Sequence, residues 1–95
     1  MVVGIGFIEF RLHDCHSLKG KRSVVKSIVA RLRNQFNASV AEVGANDVYQ
    51  QAEIGFSMVG NDRQVINSKI DKVFNMAESL GLAEIVDTDM EIITL

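Results

Sequence analysis

Apolar and polar positions alternate along the first dozen residues and then change period. From Val2 to His13, Gly4, Gly6, Ile8, Phe10 and Leu12 share one face, while Val3, Ile5, Phe7, Glu9 and Arg11 share the other, which predicts a strand with its first set toward a core. After Asp14 to His16, Ser17 has the chemistry of an N-cap, and Leu18, Val25, Ile28, Val29, Leu32 and Phe36 recur at helical spacing up to about Asn37. Two further strands, roughly 38–44 and 48–60, meet through Gly44-Ala45-Asn46-Asp47, residue types that favour a tight turn. In the second of them Ala52, Ile54, Phe56 and Met58 face the core, and Gln51, Glu53, Gly55 and Ser57 face away. Asn61 or Asp62 caps a second helix with the stripe Ile66, Ile70, Val73, Phe74 and Ala77, which Gly81 stops. A last strand runs over about 83–94.

Strand, helix, hairpin, helix, strand is the split βαβ, or ferredoxin-like, arrangement: an α+β sandwich with a four-stranded antiparallel sheet and two helices on one face. Right-handed crossovers then place the first and third strands in the middle of the sheet. Gly4-Ile5-Gly6 sits inside a strand with no helix after it. It therefore reads as room for a close-packed neighbour and not as a phosphate loop.

The whole of 1–95 is expected to be one such domain, since 95 residues allow one core and the chain shows no repeat, linker or proline. A hydrophobic share of 47% against 23% charged excludes disorder, and a formal net charge of −2 supplies no global field toward nucleic acid or an anionic membrane. Any anion site must be local. The lone Cys15 excludes an internal disulfide and fits a reducing compartment, and neither a secretory leader nor a membrane-spanning run is legible, so a cytoplasmic address with no membrane partner is expected.

Lys19, Arg22, Lys26 and Arg33 fall within an arc of about 60° on the first helix, beside its apolar stripe. Lys21 adds charge near the helix N-terminus, where unpaired N–H groups favour an anion. These residues are the nucleic-acid or anion-binding candidates. The competing reading is that they are solvated stems flanking a buried stripe.

The sheet face turned away from the helices is the second candidate surface. Val3, Ile5, Phe7, Val40 and Ile93 are expected there with Arg11, an apolar patch suited to a second copy or another protein, unless the side chains are merely scattered. Phe7 could stack on a base. Glu9, Glu42, Glu53, Asp87, Asp89 and Glu91, expected on the same side, would repel a phosphate backbone.

His13-Asp14-Cys15-His16 carries metal-ligand chemistry, but the chain has no other Cys or His to complete a closed zinc site. A polar loop with Cys15 tucked beneath the helix is the reading preferred over metal binding by His13, Cys15 and His16, or over a Cys15 nucleophile. No cofactor is expected.

Three segments carry a resemblance: Ser17-Leu18-Lys19-Gly20-Lys21-Arg22, Phe36-Asn37-Ala38-Ser39-Val40-Ala41-Glu42-Val43, and Gln51-Ala52-Glu53-Ile54-Gly55. Together they resemble the successive motifs of the YlxP-like family, or domain of unknown function 503, along nearly the whole chain. The resemblance implies a small bacterial ferredoxin-like protein, often encoded beside translation-initiation and ribosome-maturation factors, of no established activity. Gly20 departs from the acidic or polar residue usual between the two lysines. Lys19, Lys21 and Arg22 carry over as candidates.

The expected function is that of a non-enzymatic accessory protein binding RNA or a ribosomal particle through the basic helix edge. The alternative is a self-associating structural or regulatory module, such as a homodimer, that binds a small ligand or a protein partner through the open sheet face. A phosphatase of acyl phosphates shares the fold and size, but its phosphate loop has no counterpart here.

Overall fold

The structure is a computed structural model that describes Met1–Leu95. Its elements are β1 (Val2–Arg11), α1 (Leu18–Gln35), β2 (Ser39–Gly44), β3 (Gln51–Gly60), α2 (Arg63–Ser79) and β4 (Glu84–Thr94). The sheet is antiparallel throughout with strand order β2-β3-β1-β4, so β1 and β3 are central and β2 and β4 are edges. Both helices lie on one face, in the ferredoxin-like arrangement that the periodicity predicts.

Local chemistry explains the element ends. Ser17 Oγ accepts from the Gly20 amide at 3.0 Å and starts α1, and Asp62 accepts from the Gln64 and Val65 amides at 2.8 and 3.3 Å and starts α2. The expected strand at 48–60 begins only at Gln51, because Ala45 to Gln50 form the connection. Its turn is built on Ala45, at φ +56, whose carbonyl accepts from the Val48 amide at 3.1 Å, and not on Gly44.

The core joins Ile8, Phe10 and Leu12 of the β1 side to Val25, Ile28 and Leu32 of α1 and Ile66, Ile70, Val73 and Ala77 of α2. Close approach of α2 requires the bare backbone of Gly4, where a Cβ would stand 2.5 Å from Ile66 Cγ2 and 2.9 Å from Ile70 Cδ1. Gly6 makes room instead for the ring of its cross-strand partner Phe56, which meets Phe74 of α2 edge-on at a centroid distance of 5.7 Å.

β2 has the opposite orientation to the one expected. Val40 pairs with Phe56 and Glu42 with Ile54, both core-side residues, so Val40 is 1% exposed and Glu42 points under the helices. The open face of β2 is Ser39, Ala41 and Val43. Val40 is therefore removed from the partner-face candidates, and Glu42 from the open-face carboxylates. No helix is long and apolar enough to cross a membrane.

Candidate functional site

Charge is sorted by layer. Of the 10 Lys and Arg residues all but Arg11 lie in the two helices, whereas of the 12 Asp and Glu residues only Asp71 and Glu78 do. A chain of near-neutral total charge thus presents a cationic helix side and an anionic sheet side.

On the helix side the candidates separate into three groups. Lys19, Arg22 and Lys26 are exposed and enter no ion pair or side-chain hydrogen bond, and they follow one flank of α1 over about 10 Å. Arg33 shares that flank, but its Nη2 donates to the Val40 carbonyl at 2.7 Å, which places the flank over edge strand β2 and covers one of that edge's backbone acceptors.

Lys21 leaves the anion-binding set altogether. It is 1% exposed, its Nζ donates to the Ala45 carbonyl, and it lies 3.3 Å from Glu42 Oε2. An ammonium buried in this way is neutralised internally and cannot receive a phosphate. The spacing Lys21, Val25, Ile28, Leu32 carried the signal, because it puts Lys21 in the centre of the buried stripe. Sequence reasoning also passed over Lys69 and Lys72, exposed cations of α2 that border a hollow of about 310 Å³ with Gln35 and Asn37.

On the sheet side, the registers align cross-strand rows. Glu53, Glu9 and Asp87 form one row, Ala41, Gly55, Phe7 and Asp89 the next, and Ser39, Ser57, Ile5 and Glu91 the third. Val3, Ile5, Phe7, Arg11 and Ile93 occupy the open face as expected, with Ile5 40% and Ile93 41% exposed. Ile5 and Phe7 make a ridge between two shallow hollows. One, of about 380 Å³, has the small residues Ser39, Ala41, Gly55 and Ser57 on its floor, and the other, of about 250 Å³, is bordered by Asp89 and Glu91.

The loop after β1 does not assemble a metal site. No group of three or more His, Cys, Asp or Glu side chains converges anywhere in the chain. His13 Nε2 is bonded to Glu84 Oε2, and this hydrogen bond, with the charges of His13 and Arg11 assisting, holds the Glu84 carboxyl below its ordinary pKa. Cys15 is half-buried against the core, its thiol donating to the Ser17 carbonyl at 3.5 Å, and His16 is exposed.

Comparison with known proteins agrees with this architecture. The uncharacterized protein YlxP of Bacillus subtilis (strain 168) is 32% identical over 78 residues, covering 82% of this chain and 85% of that protein. A VAO-type flavoprotein from Myceliophthora thermophila superposes at a TM-score of 0.56 and 18% identity, covering 98% of this chain but only 16% of the flavoprotein. The de novo designed protein Foldit4 superposes at 0.52 and 12% identity, covering 99% of this chain and 97% of the design. These two likenesses show the fold alone. The family described as protein of unknown function (DUF503) matches residues 3–90, and the chain belongs to that family.

Proposed function

We propose that this protein is a non-catalytic RNA-binding accessory factor whose contact surface is the exposed flank of α1. The observation that carries the reading is that Lys19, Arg22 and Lys26 stand on one flank, solvated and without carboxylate partners, in a chain that sets only Asp71 and Glu78 of its 12 Asp and Glu residues in the helices. Cations placed this way neutralise phosphates and release counterions, which gives sequence-independent, salt-sensitive affinity. Buried Lys21 contributes only by holding the loop beneath the helix start.

The test is binding of a mixed-sequence single-stranded RNA, and co-sedimentation with ribosomal particles, across a salt series. Three phosphate contacts imply a slope of log affinity against log salt of about −2. The variant Lys19→Glu/Arg22→Glu/Lys26→Glu should lose both forms of binding while its circular dichroism is unchanged. Retained binding by this variant, or loss caused instead by Lys69→Glu/Lys72→Glu, would refute the flank.

A further inference from the structure

The open sheet face combines two features, one apolar and one anionic. Its apolar part is a ridge, Ile5 and Phe7, beside a trough floored by small residues and walled by Val43, which is 59% exposed. Its polar part is a bank of carboxylates on β4 and along the Glu53, Glu9, Asp87 row, opposed only by Arg11 and by His13 at one end. Like charges set directly opposite one another across strands are unfavourable. A cationic occupant relieves that repulsion as it binds.

We infer that this face docks an extended, cationic segment of another protein that carries one large apolar side chain. Charge decides against a second copy. The face sets Glu9, Glu53, Asp87, Asp89 and Glu91 against Arg11 alone, so a closed two-fold pair would double a net negative surface, and the nine other Lys and Arg residues lie in the helices on the opposite layer, where such a pairing cannot bring them in. RNA is disfavoured on the same ground. The geometry also sets the spacing. The trough, lined from β2, β3 and β1, is centred on β3, and the Asp89 and Glu91 carboxylates lie on β4, two strand separations, or ~10 Å, away. An extended chain covers that distance in three residues.

The probe is therefore a synthetic peptide with one leucine three positions before a Lys-Lys pair in a Gly-Ser background, titrated into the full-length protein by two-dimensional amide NMR. The expected result is perturbation of β1, β3 and β4 amides with α1 unaffected. Affinity should fall about tenfold when the leucine is replaced by serine. It should fall by a similar factor in the exposed-surface variant Asp89→Lys/Glu91→Lys. Equal binding of the leucine and serine peptides, perturbations centred elsewhere, or a concentration-dependent dimer that occupies this face in sedimentation experiments would each overturn the proposal.

Discussion

Lys21 Nζ lies 3.3 Å from Glu42 Oε2, beneath the first turns of α1 and against the carbonyl of Ala45. The Glu42 oxygen is out of contact with solvent and has no hydrogen-bond donor, so the ammonium is what compensates it. The pair ties α1, β2 and the β2–β3 connection into one unit.

Removing one partner should therefore cost more than removing both. Lys21→Met is expected to destabilise the fold by about 3 kcal/mol, the lower end for breaking a buried pair because the Glu42 side chain remains 23% exposed. Lys21→Met with Glu42→Gln should recover at least about 1 kcal/mol of that loss. Urea unfolding at constant pH measures both. If the anion-binding assignment is right, RNA affinity of the double variant equals that of the parent.

Ala45 holds a left-handed conformation, φ +56, that is unfavourable for any residue with a Cβ. Ala45→Gly relieves it and leaves the carbonyl that Lys21 uses. After the greater freedom of glycine in the unfolded chain is subtracted, a gain of about 0.5 kcal/mol is expected. A loss of stability in thermal or urea unfolding would show that the conformation is not strained.

Gly6 and Phe56 are cross-strand partners, and a Cβ at position 6 would overlap the Phe56 ring. The ring is held against Phe74 and cannot simply swing away. Gly6→Ala should destabilise by about 2–3 kcal/mol through overpacking, and adding Phe56→Leu should return part of it. Equal stability of Gly6→Ala and the parent would contradict the packing described for the sheet's inner face.

His13→Ala should raise the pKa of the exposed Glu84 carboxyl toward its usual 4.5, as read by carboxyl NMR titration. The sign for stability follows from the lowered folded value. Between that value and 4.5 the unfolded chain binds more protons than the folded one, so the contribution is fully present above 4.5 and disappears as pH falls through the folded pKa. The acid limb of a stability-against-pH curve should be flatter in His13→Ala than in the parent.

The order of elements, the inward faces of β1, β3 and both helices, and the capping roles of Ser17 and Asp62 are local properties, legible as period, cap and turn chemistry before any contact is known. The flank of Lys19, Arg22 and Lys26 is legible for the same reason, since helical angle alone places it. The orientation of β2 is not local. Ser-Val-Ala-Glu-Val-Gly offers an apolar residue to either face, so only its pairing with Phe56 and Ile54 of β3 decides that Val40 and Glu42 point inward. The fate of Lys21 follows from that decision. Its position in the buried stripe is written in the spacing, but a buried ammonium is tolerable only where a carboxylate and a carbonyl from distant parts of the chain converge on it, and tertiary packing alone brings Glu42 and Ala45 there.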